Sequence, residues 1–480
     1  MSDLNQQPGL FDDLDDAPLD EPVLTTAQPT MQASESIEVV PLLTYLTDEH
    51  RVRVVDVKLA ELLSGTNAQQ GYDDLFYIIL MLCLLQQSQH SCLTLTEVDW
   101  TNPFNLRQSD FTKLEGTQPE TLSPFSDDFT TEAAIRYLLS HHSVGEQKPL
   151  QLFNQRLYFS RLAGYEQTLA QRLLTMSERQ LNIDDAVLAQ LLTRYFPDDP
   201  SIDIDWQKVA CAIAATKGFS VITGGPGTGK TTTVTKLLAI LQSLYQAAPL
   251  SIKLVAPTGK AAARLTESIL GAKNKLNEIP DEINALIPQS AQTIHRLLGV
   301  KPFTNKFRHD KSNPLHVDVL IIDEASMVDL SLMAKLIEAL PDHARLILLG
   351  DKDQLASVDT GSVMSDLCQG LVLGQTPHYS KVRCEQLNTL CFNGAIKLNA
   401  QTQSEFKLAD CIAFLQHSYR FDAKSGIGQL ALAVNTNNRG ILNYVEQQSS
   451  EGHFRDIILD YDFVSTPIEK LVNSAASHYA

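Results

Sequence analysis

Residues 219–244 constrain this chain more than any other stretch. Phe219–Thr223 is a short apolar run, Gly224-Gly225-Pro226-Gly227-Thr228-Gly229-Lys230-Thr231 follows it, and Thr231–Leu244 reads as a helix. The turn fits the pattern G-x-x-x-x-G-K-[ST], in the strand-turn-helix setting that gives the pattern its meaning. Glycines let backbone N–H groups wrap around a phosphate with no Cβ in the way. The start of the helix adds partial positive charge. The pattern predicts a phosphate cradle from Gly224 to Thr232, with Lys230 bridging β- and γ-phosphate oxygens of ATP and Thr231 ligating Mg²⁺.

The segments around this turn read as an α/β domain. Ser251–Ala256, Val317–Ile322 and Ala344–Leu349 are apolar runs of strand length, and the stretches through Ile269 and Leu330–Leu340 between them are helical. Such alternation predicts a parallel sheet with its site at the carboxyl ends of the strands. Val319-Leu-Ile-Ile places Asp323 at a strand end, where a carboxylate holds Mg²⁺ through water. Glu324, one residue on, is positioned to orient or deprotonate an attacking water. A third strand ends in Gly350-Asp351-Lys352-Asp353-Gln354, and a neutral Gln354 there can bond a γ-phosphate.

Charge at first argues against a nucleic-acid partner, since the net is −19. It is unevenly placed. Residues 1–50 hold eleven acidic side chains and no Lys or Arg, whereas residues 201–300 hold ten Lys and Arg against six Asp and Glu. Residues 1–38 are too polar to offset their ordering entropy and read as a disordered acidic tail. Seven cysteines without a Cys-x-x-Cys pair fit reduced thiols in a cytoplasmic protein and offer no zinc framework. The apolar run Leu75–Leu85 is too short for a membrane span, which needs about 20 residues, and reads as a buried helix. The adjacent His141 and His142 lack a third ligand nearby and read as a solvated loop.

Further landmarks fall in order along the chain. Asp205-Trp206-Gln207-Lys208-Val209-Ala210 precedes the P-loop, Ala256-Pro-Thr-Gly-Lys-Ala-Ala-Ala-Arg264 and Gln292-Thr-Ile-His-Arg-Leu-Leu-Gly299 follow it, and Leu415-Gln-His-Ser-Tyr-Arg-Phe421 lies beyond Gln354. Together these motifs resemble those of the superfamily 1 DNA helicases and, more closely, the RecD family, the alpha subunits of exodeoxyribonuclease V. The resemblance covers about residues 150–445. It implies that Gln207 reads adenine and Arg420 reaches the γ-phosphate. It implies that Thr258, Lys260, Arg264, Thr293 and His295 lie on the DNA path, where hydroxyls, helix starts and cations hold strand phosphates. It further implies a 5′ to 3′ ATP-dependent motor acting on single strands and duplex ends. Such a motor works beside RecB and RecC subunits in double-strand break repair by homologous recombination, with the nuclease centre on RecB. Gln7-Pro8-Gly9-Leu10-Phe11 resembles a short peptide that docks on the sliding clamp.

The expected organisation is a tail at 1–38, a mainly helical partner-docking domain at 39–150, and a linking region at 151–200. A RecA-like lobe would follow at 201–375, with an incomplete second RecA-like lobe at 376–480. The late motifs that would complete that second lobe do not occur after Gly428. The alternative expectation is therefore a truncated chain that binds nucleotide and partners without translocating.

Overall fold

The apolar run near residue 80 forms the central helix of the amino-terminal domain. The computed structural model describes residues 40–107, 123–179, 181–200, 202–276, 279–304, 306–354, 357, 359–373, 375–400, 408–419, 425–435, 438–454 and 456–457. The acidic tail, Gln7–Phe11 and Arg420 lie outside them. Helices α1 (Val40–Asp48) and α2 (Val54–Ser64) precede α3 (Asp74–Gln87). Asp73 caps α3 by accepting from the Phe76 amide at 3.0 Å. Every residue from Leu75 to Cys83 is buried, as a helix apolar on all sides requires. Its Leu, Ile and Phe side chains each contribute about 1.5–3 kcal/mol on burial.

Strands β1 (Cys92–Thr94), β2 (Leu150–Phe153) and β3 (Arg156–Phe159) form a three-stranded antiparallel sheet in the order β1-β3-β2. Residues 151–200 are therefore not a single linking region. β2 and β3 complete the amino-terminal domain, and the helix Ser160–Glu178 leaves β3 to pack on the helix Leu330–Ala339 of the next domain. The helix Asp185–Tyr195 packs against the P-loop helix Lys230–Leu244. The hydrophobic clusters explain the division: Leu157 belongs to the core around α3, and Leu162, Leu169 and Leu173 to the core of the second domain.

That second domain is built on a wholly parallel sheet. Its strands are β4 (Phe219–Gly224), β5 (Ile252–Ala256), β6 (Gln292–Thr293), β7 (Val319–Ile322), β8 (Arg345–Gly350) and β9 (Ile412–Leu415), in the spatial order β6-β5-β7-β8-β4-β9. β4, β7, β8 and β9 are buried along their whole length, the signature of strands covered on both faces.

The domain boundary expected at 375/376 does not fall there. β9 pairs in parallel with β4, Val221 opposite Ile412 and Gly224 opposite Leu415. Tyr379, Cys384, Leu387, Leu390 and Cys391 join the core on one face of this sheet. Pairing across a gap of some 190 residues has no local signature, so the sequence alone does not reveal it. Among the described residues no strand follows β9. The helices Gly426–Asn435 and Arg439–Ser450 pack on each other.

Candidate nucleotide and nucleic-acid site

Four strand ends converge at the carboxyl edge of the sheet. β4 delivers the P-loop, β7 delivers Asp323 and Glu324, β8 delivers Asp351 to Gln354, and β9 delivers residues 416–419. In the P-loop, Gly229 is the residue before the helix and has φ +81°. This left-handed conformation is costly for any residue with a Cβ. Gly224 is demanded by proximity instead, since a Cβ would stand 2.8 Å from that of Leu415.

The loop is braced from both sides. Gln207 Nε2 donates to Thr228 O at 3.1 Å. Across the loop, the Tyr419 amide donates to Gly227 O at 2.8 Å and Ser418 Oγ to Pro226 O at 3.4 Å. Gln207 thus holds the phosphate loop itself, a brace its place in the sequence does not disclose. Ile204, Trp206, Gln207, Leu415, His417 and Tyr419 line a shallow cleft beside it. The His417 and Tyr419 rings meet edge to face at 4.6 Å. The sequence reading missed this aromatic wall, although Tyr419 stands next to Arg420. Lys230 Nζ donates to Gly224 O and, at 3.1 Å, to Gly225 O. Thr231 is half-buried and Thr232 exposed at the helix start.

Asp323 follows β7 directly, its amide donating to Val255 O at 2.9 Å. Burial, reinforced by the charge of Glu324, pushes its carboxyl up to about 6, against the pull of Lys230. An anion that costly to hold bare suits a carboxylate with a cation nearby. Glu324 itself sits at φ +53°. A left-handed acidic residue costs roughly 1–3 kcal/mol and concentrates at functional sites. The conformation turns the chain sharply into the short turn Ala325–Met327. Ser326 in that turn donates from Oγ to Gln354 Oε1 at 3.3 Å. Ser326 is a second residue that sequence reasoning missed. Asp351, also raised by burial, accepts from the Asp353 amide, and the Lys352 amide donates to Thr223 Oγ1. The third strand end is thereby tied to the first.

The residues assigned to the DNA path lie toward the opposite edge of the sheet. β5 and β6 run in parallel with Ala256 opposite Thr293, so Thr258 and Thr293 leave neighbouring strand ends. Each caps a helix, Thr258 accepting from the Ala261 amide and Thr293 from the Arg296 amide, both at 3.2 Å. Lys260, Arg264, His295 and Arg296 are exposed. A further element went unread: Val300 bridges to Phe307, and Phe303 stands fully exposed between them at φ +61°. Lys301, Lys306 and Arg308 flank it, and the Phe307 ring lies 5.9 Å from that of His295. The basic and aromatic alternation of Lys301-Pro302-Phe303 and Lys306-Phe307-Arg308 was the available signal.

Elsewhere, among the described residues no cluster of His, Cys, Asp and Glu has metal-binding spacing, and no helix is long and apolar enough to cross a membrane. His141 lies 3.9 Å from Asp73.

Comparison with known proteins bears on both domains. A family model described as RecBCD enzyme subunit RecD, N-terminal domain, matches residues 48–158. One described as AAA domain matches residues 207–360. The RecBCD enzyme subunit RecD of Haemophilus influenzae is 42% identical over 343 residues, covering 70% of this chain and 51% of that protein. The RecD subunit of Mycolicibacterium smegmatis is 40% identical over 244 residues, 50% of this chain and 42% of that protein. The ATP-dependent RecD2 DNA helicase of Deinococcus radiodurans is 42% identical over 149 residues, 31% of this chain and 18% of that protein. The chain spans about half the length of the curated RecD relatives it matches.

Proposed function

This chain belongs to the RecD family, and from that premise we propose that it is an ATP-dependent DNA helicase subunit. It would act as a 5′ to 3′ motor with RecB and RecC chains in double-strand break repair, in the cytoplasm. One observation carries the reading. The phosphate loop, the Asp323-Glu324 pair and Gln354 leave the carboxyl ends of three adjacent strands, β7, β8 and β4. The strand-binding caps Thr258 and Thr293 leave the carboxyl ends of β5 and β6, further across the same sheet.

The chemistry follows from these placements. The loop amides and the helix start bind the β-phosphate, and Lys230 exchanges its two loop carbonyls for phosphate oxygens. Thr231 and Asp323 would hold Mg²⁺, whose charge offsets that of the phosphates. The raised Asp323 carboxyl supports this assignment. Glu324 orients the attacking water and takes its proton. Gln354 contacts the γ-phosphate and is linked through Ser326 to the turn after Glu324. The aromatic cleft receives the base. Arg420, one residue beyond Tyr419, neutralises charge on the γ-phosphate, a role worth about 10³–10⁵ in rate. Gln7–Phe11 is proposed as a clamp-docking peptide, testable by clamp binding with and without Leu10→Ala.

The test is ATPase activity of the chain, alone and with RecB and RecC, with and without single-stranded DNA. Turnover stimulated by DNA and abolished by Lys230→Gln is expected. Nucleotide binding without DNA-stimulated turnover in either setting would leave only a binding role. Turnover surviving Lys230→Gln would overturn the site assignment.

A further inference from the structure

We propose that the amino-terminal domain positions the hydrolytic loops of the P-loop domain through a clasp, closed by the Gln89 carbonyl on the Gly361 amide. The proposal deepens the nucleotide reading above and rests on it. Gly361 lies in the loop after β8, seven residues beyond Gln354. Its amide is buried and donates across the domain junction to Gln89 O at 2.8 Å. A buried N–H requires an acceptor, and here the other domain supplies it. The carbonyls at the end of a helix lack partners within it. The turn after α3 offers such groups, since Thr360 Oγ1 also lies 3.5 Å from Gln86 O.

The gripped loop touches both catalytic segments. The Leu330 amide donates to Thr360 O at 3.3 Å, and Leu330 begins the helix that follows the Asp323-Glu324 turn. Gly361 has φ +93°, and a Cβ there would stand 2.6 Å from Leu330 Cβ. Ser357 Oγ donates to Asp359 O at 2.8 Å. At its other end Gln354 is bonded by Ser326. A path of contacts therefore runs from the turn after α3 through Gly361, Thr360 and Leu330 to the turn that follows Glu324, the kind of network along which coupling can travel. Gln89 and Gly361 stand on the wall of a cleft of about 990 Å³ between the two domains, lined also by His90, Arg156, Glu166 and Asp366. Ser91 Oγ to Glu166 Oε2, at 3.1 Å, is a further link across it. The clasp therefore bears directly on the loop, while the cleft leaves room for the domains to shift.

Gln89 sits at φ +71°, a conformation glycine accepts and a β-branched residue resists. Gln89→Val should withdraw the carbonyl, and Gln89→Gly should keep it. The experiment is hydrogen exchange of the full chain over residues 86–90 and 350–361, with and without a non-hydrolysable ATP analogue and Mg²⁺, together with steady-state ATPase. In the wild type and in Gln89→Gly, the analogue should change exchange at 86–90, which touch no nucleotide. Gln89→Val should lose that response, with kcat down about three- to tenfold and KM for ATP within twofold. A wild-type chain that binds the analogue without a response at 86–90 overturns the clasp. So does a Gln89→Val chain with normal response and turnover. The wild-type response decides the matter even where Gln89→Val does not fold. Failure of the wild type to bind the analogue refutes the nucleotide reading beneath it instead.

Discussion

Gly229→Ala tests how the phosphate loop is held. The added Cβ would stand 2.3 Å from Gln207 Nε2 on a residue at φ +81°. Holding an L residue there costs about 1–2 kcal/mol. Displacing Gln207 forfeits its hydrogen bond to Thr228 O, a further 0.5–1.5 kcal/mol or so. Together these amount to about 1.5–3.5 kcal/mol. The unliganded loop can relax away from the strain, so the cost appears on binding, as roughly 10- to 300-fold weaker nucleotide affinity at 1.4 kcal/mol per factor of ten. In a Gln207→Ala background the clash is gone and only the backbone cost remains, roughly 5- to 30-fold. Titration of a fluorescent nucleotide against wild type, both single variants and the double variant measures the cycle. Equal losses from Gly229→Ala in both backgrounds would remove Gln207 as a brace. A loss under threefold in the wild-type background would refute the argument from loop geometry.

Glu324→Gln should keep nucleotide affinity within a few-fold and lower hydrolysis by about 10²–10⁴; loss of binding as well would make Glu324 structural. Asp323 gives a pH signature in the metal-chelated chain. Its carboxyl titrates near 6 in the fold against an ordinary 3.8, so the folded state keeps a proton that the unfolded chain has released. The stabilising contribution is complete below pH 4 and lost as pH rises through 6, about 3 kcal/mol in all. The melting temperature of Asp323→Asn relative to wild type in EDTA should therefore climb between pH 4 and 6 and then level off, and parallel profiles would refute it. Removing residues 1–38 should leave ATPase unchanged; a large loss would give that acidic stretch an active part.

The phosphate loop, the Asp323-Glu324 pair and the parallel sheet were legible in the sequence because each is local. A buried strand, a glycine turn and a helix start are written in consecutive residues, and their order dictates what stands at each strand end. The buried helix α3 was legible for the same reason, as one unbroken apolar run. The domain limits were not. β9 joins the sheet beside β4 and β1 joins β3 in the amino-terminal domain, and neither pairing is coded by nearby residues. The left-handed Glu324, the double bracing of the loop by Gln207 and Tyr419, the Ser326 link to Gln354 and the Gln89–Gly361 clasp arise only where distant segments meet. Composition and periodicity decided which chemistry this chain can hold. Tertiary contact decided which residues hold that chemistry in place, because hydrogen bonds between segments tens to hundreds of residues apart depend on where the chain returns.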